Sequence, residues 1–234
     1  MMHTVYVPSM SRATKVVTRI PGMTLVVPRK QVREYERHNS CHVIGHPPLQ
    51  NIGQVRQWII DNAPHPTVTM CDDDVKFFKR IDGKLHRTED PTEGIEILQD
   101  AIDLYGYGMA SIGMRLWNNT KPNYVNYGHC HTVWAIDRNL AEKIPEECAV
   151  NEDLFLAMSL AIRGIPNLVV NCWAQESGAG GQPGGCAEYR NGEIQNRANS
   201  YLAKRFHPYI KINPNPKAVQ HSVRVYWKRL ANEI

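Results

Sequence analysis

Val68-Thr69-Met70-Cys71-Asp72-Asp73-Asp74-Val75 runs from an apolar, strand-like segment straight into three consecutive carboxylates. Adjacent carboxylates repel one another, so a folded chain must compensate them with a cation, a helix N-terminus or solvent. If the strand continues into the triplet, Asp72 and Asp74 point to one side and Asp73 to the other. That pair offers hard oxygen ligands to Mg2+ or Mn2+, with substrate phosphates completing the octahedron. The other reading is a solvated acidic turn, because Asp is common in turns after strands.

The residues before the triplet bear on the choice. Short β-branched runs at 4–7, 24–27, 42–45 and 67–71 alternate with longer segments at 12–19, 31–38 and 52–62. This spacing predicts βαβ units and a parallel sheet. The helix at 52 is the best marked. Ile52, Val55 and Ile59 recur at i, i+3 and i+7, and Asn51 with Gln54 resembles a capping box. Right-handed crossovers bring the strand C-termini to one edge, where open α/β sheets bind ligands. The triplet follows the fourth run, at that edge, which favours the metal.

Beyond residue 75 the pattern is less regular. Helices are expected at 92–105, 137–144, 154–163 and 192–205, and strands at 109–112, 133–136, 168–172 and 209–212. Residues 177–186, SGAGGQPGGC, hold five glycines in ten and suit neither a helix nor a central strand. They read as a connection, or as a lid hinged on glycine. With no internal repeat, one mixed α/β domain over 1–234 is preferred to two.

Composition bounds the rest. The 234 residues include 27 Lys and Arg against 23 Asp and Glu, a net charge of +4, with 42% hydrophobic and 21% charged residues. These values exclude a wholly disordered chain, a coiled coil or collagen, and the length is ample for a core. The charge excess is too small to establish nucleic-acid binding by itself. The cysteines at 41, 71, 130, 148, 172 and 186 form no CxxC pair and read as reduced, buried thiols of a cytoplasmic protein. No apolar run approaches the roughly 20 residues of a membrane span, and MMHTVYVPSMSR is no signal peptide, so no membrane and no obligate protein partner is expected. Asn118-Asn119-Thr120 reads as a polar turn.

Three further features carry chemistry. Asn151-Glu152-Asp153 precedes strong helix formers, where acidic residues favour the helix dipole by about 0.3–1 kcal/mol. Gly128-His129-Cys130-His131 can put two rings on one strand face, but zinc would need two more ligands and none stands out, so structural or acceptor-site histidines are expected. After residue 189, cations such as Lys204, Lys211 and Arg224 interleave with Tyr201, Tyr209 and Tyr226. Such a pattern grips phosphates and stacks bases, and amphipathic helices share it.

The β-α-β-α-β-α-β order over about residues 4–75, closed by a DxD-type motif and joined by a second acidic pair near 150, resembles the nucleotide-sugar-dependent glycosyltransferases of the GT-A fold. The resemblance implies a Rossmann-like mixed sheet flanked by helices, with a nucleotide-binding half over about 1–115 and an acceptor half over about 116–234. It places Pro8, Ser9 and Arg12 near the uracil and ribose, Arg56 facing the nucleotide, and Asp72 and Asp73 on the nucleotide-sugar. It assigns the metal, Mn2+ or Mg2+, to Asp72 and Asp74, with one more ligand from a C-terminal histidine, His207 or His221. Glu152-Asp153 resembles the Glu-Asp motif of inverting members, with Asp153 as general base and Glu152 orienting the acceptor. Retaining members carry acids there too, so the stereochemistry stays open.

The blocks VTMCDDDV and VNEDLFLAM, with the glycine-rich segment, make the chain most similar to compact phage glycosyltransferases that modify hydroxymethylated DNA bases, including those encoded beside TET-like oxygenases. That implies a UDP-sugar donor and an acceptor hydroxyl on 5-hydroxymethylcytosine in duplex DNA, with the base flipped to reach the site in the host cytoplasm. Other readings remain: a glycan, protein or small-molecule acceptor; a metal-dependent nucleotidyltransferase or nuclease, since paired carboxylates also serve phosphoryl transfer; and a DNA-binding module whose acids are structural.

Overall fold

The computed structural model describes residues 2–118, 122–178, 191–213 and 222–234. The expected alternation of the first third forms as β1 (Val5–Pro8), β2 (Thr24–Pro28), α1 (Val32–His38), β3 (His42–His46), α2 (Ile52–Asn62) and β4 (Thr67–Cys71). The segment at 12–19 is not a helix. It lies as turns against the triplet, because Val17 N and Thr18 N both donate to the Asp73 carbonyl instead of to their own chain.

A hairpin follows, β5 (Lys76–Ile81) and β6 (Lys84–Thr88), and then α3 (Thr92–Asp103), β7 (Met109–Met114), α4 (Arg115–Asn118), β8 (Tyr124–Asn126) and β9 (Val133–Asp137). The chain continues as α5 (Glu152–Ala161), β10 (Asn167–Glu176), α6 (Gly192–Arg205), β11 (Ile210–Asn213), β12 (Ser222–Val225) and α7 (Trp227–Glu233). The helix expected at 137–144 does not form. Asp137 caps a short turn by accepting from Asn139 N, and Ile144 N donates to Gln57 Oε1 on α2 instead of to a helical carbonyl.

Among the described residues the main sheet has the order β3-β2-β1-β4-β9-β7-β10-β5-β6, with β8 also on β10. β1, β2, β3 and β4 pair in parallel, as do β7 and β10, while β9 runs antiparallel between β4 and β7. The sheet is therefore mixed, as the GT-A resemblance implies, with the four strands of the first third parallel as expected, and strands from both halves of the chain share it. One face packs on α2, α5, α6 and α7 through a core including Ile59, Trp134, Phe155 and Leu202, and the other on α1 and α3 through Leu25, Tyr35, Ile95 and Leu98.

This order positions the site. The chain leaves β1 toward β2 and β3 on one side and returns to β4 on the other, so a crevice opens beyond the C-terminal ends of β1 and β4, where doubly wound sheets bind ligands. One glycine sets the approach of α2 to this crevice. A Cβ on Gly53 would stand 2.5 Å from the Cys148 carbonyl oxygen, so only glycine lets α2 lie against the turn at Glu146–Cys148.

Candidate active site

The strand ends at Cys71, and Asp72, Asp73 and Asp74 lie in the turn that follows. Their separation comes from hydrogen bonding instead of from strand alternation. Asp72 N donates to the Thr132 carbonyl at 3.1 Å, and Asp72 O accepts from Thr18 Oγ1 at 2.6 Å. Thr18 Oγ1 in turn accepts from Val75 N at 2.9 Å, so one hydroxyl staples both ends of the turn.

Each carboxylate then meets a different partner. Asp73 is buried, accepting from Arg12 Nη1 at 2.9 Å and from the Ser9 hydroxyl. Ser9 Oγ also bonds Tyr35 OH at 2.7 Å, and that phenol accepts from Arg12 N at 3.0 Å. Ser9 and Arg12, just past Pro8 at the end of β1, thus hold Asp73, and the fully buried Tyr35 of α1 fixes both. Asp73 is committed to this network and leaves Asp72 and Asp74 as the carboxylates toward the crevice. Asp74 sits 3.8 Å from Arg12 Nη1 and accepts from the Gly178 backbone; burial and Asp73 push its carboxyl upward.

Asp72 meets Arg56. The guanidinium, 4% exposed on α2, donates from Nη2 to Asp72 Oδ1 at 2.5 Å and from Nη1 to Glu152, and its carbon lies 5.4 Å from the Trp134 ring centre. Burial is the main cause that pushes Asp72 up to about 6, against the pull of Arg56, with Asp74 and Asp153 adding to the rise. Burial likewise pushes Glu152 upward, again against Arg56. Arg56 therefore bridges the DxD-type turn and the second acidic pair, lying beneath them rather than presenting its charge to solvent.

Glu152 and Asp153 open α5 from Asn151, which stands in the left-handed region at φ 62° and is tied to Asn199 of α6 through a 2.8 Å bond. Asn tolerates that conformation better than most residues. Glu152 points inward to Arg56. Asp153 accepts from Leu154 N at 2.7 Å and is close enough to influence Asp72, His129 and His131 electrostatically. The two histidine rings lie 4.9 Å apart, and burial lowers both, His131 to about 4. His129 is exposed at the surface beside Asp153. Thr132, whose carbonyl holds Asp72, has φ 65°, a strained state for a β-branched residue that costs about 1–3 kcal/mol and clusters at functional sites.

The acidic pair fits a divalent cation. Asp72 and Asp74 supply hard oxygens, and burial pushes both carboxyls upward, so a cation would favour their charged forms. Among the described residues no three His, Cys, Asp or Glu side chains converge into a cage. Such a site matches Mg2+ or Mn2+ held by one or two carboxylates and substrate phosphates. His207 is exposed at the end of α6, and no hydrogen bond or ion pair joins it to the triplet among the described residues. His221, and all of the glycine-rich segment beyond Gly178, lie outside the described residues. The five described cysteines are free thiols, and no described helix is long and apolar enough to cross a membrane.

Of the residues singled out in the sequence, the structure brings Ser9, Arg12, Arg56, Asp72, Asp73, Asp74, Glu152 and Asp153 into one neighbourhood. Tyr35, Thr18 and Thr132 were not singled out. The first two act through single hydroxyls, which leave no periodic signal. Asn151 was visible beside the two acids, but its left-handed backbone and its bond to Asn199 were not.

The fold has known counterparts. Glucosyl-3-phosphoglycerate synthase from Mycobacterium tuberculosis, solved with Mn2+, UDP-glucose and phosphoglyceric acid, aligns with a TM-score of 0.58 at 10% identity over 97% of this chain and 90% of its own. Its complex with Mg2+ and UDP aligns at 0.56 and 10% identity over 95% and 86%. At such identity the likeness is one of fold, the GT-A fold. No curated protein sequence matches the chain. The family profile of the TET-associated glycosyltransferases matches residues 3–176, which span β1 to β10, the acidic turn and the Arg56-Glu152 clamp, and the chain belongs to that family of glycosyltransferases.

Proposed function

We propose that the chain transfers a sugar from a UDP-sugar to an acceptor hydroxyl in a divalent-metal-dependent reaction, with 5-hydroxymethylcytosine in DNA as the favoured acceptor. The observation that carries this reading is Arg56, which joins Asp72 of the donor-side turn to Glu152 of the proposed acceptor side. One buried guanidinium fixes the spacing of the two halves of the reaction. In the proposed roles Asp72 and Asp74 hold Mn2+ or Mg2+, Ser9 and Arg12 lie toward the nucleotide, and Asp153 accepts the proton of the acceptor hydroxyl. The acceptor oxygen bonds to the anomeric carbon as that carbon's bond to the diphosphate oxygen breaks, and UDP leaves with the bonding pair. A bound divalent cation supplies charge neutralisation on the departing diphosphate. Glu152, locked on Arg56, sets the entry of α5 and hence the direction of Asp153. His129 and His131 line the floor beside Asp153 as neutral rings.

The DNA acceptor rests on the family and on the chain's resemblance to phage enzymes, and a glycan, protein or small molecule is the second reading. The test is incubation with several UDP-sugars and hydroxymethylated duplex DNA. UDP release with a mass gain of one sugar on the base supports the proposal. UDP release on a different acceptor keeps the transferase and moves the acceptor, whereas strand cleavage or pyrophosphate release overturns the reaction class.

A further inference from the structure

Residues 191–234 carry eight Lys and Arg against two Asp and Glu, a net charge of +6, whereas residues 1–190 sum to −2. The family match ends at residue 176, so this basic portion lies outside it. Its hairpin, β11 with β12, is two-faced. Ile210 stands opposite Val225 and Ile212 opposite Val223, alternating with Lys211 opposite Arg224 and Asn213 opposite Ser222. Side chains alternate across a strand, so the apolar pairs share one face and the basic and polar pairs the other. Ile210 is buried, and Lys211 and Arg224 are exposed.

Like charges directly opposite each other weaken a two-stranded ladder, which makes the Lys211–Arg224 pair a local choice against stability. Both cations also gather on one ring. Lys211 Nζ lies 5.7 Å, and the Arg224 guanidinium carbon 5.2 Å, from the Tyr226 ring centre. Among the described residues no carboxylate pairs with either. Conflicts of this kind between local stability and sequence are expected at functional sites.

We propose that the outward face of the β11–β12 hairpin docks the sugar-phosphate backbone of duplex DNA. This rests on the DNA-acceptor reading and deepens it. Neighbouring backbone phosphates relieve the repulsion between Lys211 and Arg224, one met by Lys211 as a point charge and one by the planar fork of Arg224. Lys211 and Arg224 both lie against the Tyr226 ring and compete there with an unpaired base, so the surface is read as taking backbone charge rather than single-stranded stacking. The hairpin is also tied to the cleft. Asn199 of α6 bonds Asn151 beside Glu152, and Phe206 at the end of α6 packs 5.9 Å from Phe155 of α5. A duplex seated on the hairpin would thus rest on an element braced, through α6, against the helix that opens with Asp153, the group an extruded base must reach.

The test is duplex binding by fluorescence anisotropy from 50 to 200 mM salt, with and without hydroxymethylcytosine, for the wild-type chain and the double variant Lys211→Gln/Arg224→Gln. Loss of two phosphate contacts should make the log-log salt slope shallower by about 1.8 and weaken modified and unmodified duplexes by the same factor. Melting temperature should stay level or rise, since a like-charge pair is gone. Wild-type slope in the variant, with the wild-type chain still glycosylating the duplex, overturns the hairpin assignment and leaves the acceptor reading standing. A wild-type chain that neither binds nor glycosylates duplex overturns both. Tighter wild-type binding to single strands than to duplex overturns the choice of duplex. If the variant unfolds, Lys211→Arg keeps the charge and leaves the Arg224 fork in place, and its failure to bind duplex like the wild type overturns the dock.

Discussion

Arg56 and Glu152, 96 residues apart in the chain, form an ion pair in which neither side chain is more than 5% exposed. A guanidinium so deeply buried is tolerated only with its charge opposed, and here it is shared with Asp72. Removing one partner leaves an uncompensated charge in a poor solvent. Arg56→Met strips the cation from two acids at once and should cost about 3–5 kcal/mol in urea unfolding, with loss of UDP binding. Glu152→Gln keeps a polar group against Arg56 and should cost less, about 1–3 kcal/mol. An Arg56→Met chain as stable as the wild type would remove the clamp from the account.

The acids and histidines of the cleft act on stability with opposite signs. Asp72 is held at about 6 in the fold against an ordinary 3.8, so between those values the native chain keeps a proton that the unfolded chain has lost. This contribution to stability falls as pH rises from about 4 to 6 and is level above. His131, held at about 4 against 6.5, does the reverse: the unfolded chain gains its proton first, so stability is lost as pH falls through that window. In chelator, Asp72→Asn removes the first contribution and leaves Arg56 paired with Glu152. Its melting temperature should exceed the wild type's by a margin that widens from pH 4 to 6 and then holds. A margin that narrows with rising pH would show Arg56 outweighing burial at Asp72.

Neighbouring carboxylates should behave differently on substitution. Asp73 anchors Ser9 and Arg12, whereas Asp74 has its carboxyl pushed upward by burial and by Asp73. Asp73→Ala should lower the melting temperature by several degrees, because Arg12 and the Ser9-Tyr35 pair lose a buried acceptor. Asp74→Ala should leave stability equal or better and abolish Mn2+-dependent UDP binding in calorimetry. Identical thermal behaviour of the two would mean that the turn does not divide its work in this way.

Legibility in the sequence followed the range of the interactions. α2 was visible with its cap half as expected: Gln54 N donates to Asn51 Oδ1 at 3.0 Å, while the Gln54 side chain accepts from Gln50 N rather than from Asn51. The β5–β6 hairpin was legible and went unread. Asp82-Gly83 between Ile81 and Lys84 is a strong type I′ turn signal, and both residues have positive φ, 48° and 77°. By contrast, the failure of 12–19 to form a helix depends on the Asp73 carbonyl more than fifty residues away, which no local pattern contains. The acids of the site were readable because carboxylates in series are unusual; the hydroxyls and the strained Thr132 that aim them were not, because such residues are common everywhere.

Asp153 offers the sharpest test of the proposed chemistry. It opens α5 with Glu152, but only Glu152 is taken by Arg56, and the Asp153 carboxylate accepts from Leu154 N and influences both cleft histidines. Asp153→Asn keeps the size and an acceptor oxygen for Leu154 N, so the helix start survives while the proton acceptor is lost. Turnover should fall by about 10²–10⁴-fold, the usual contribution of a general base, while the Kd for the UDP-sugar stays within about twofold. Equal losses in turnover and donor affinity would instead assign Asp153 to the donor or to the fold. Unchanged turnover would return the base to another residue of the cleft, and anomeric analysis of the product would then show whether an inverting base is needed at all.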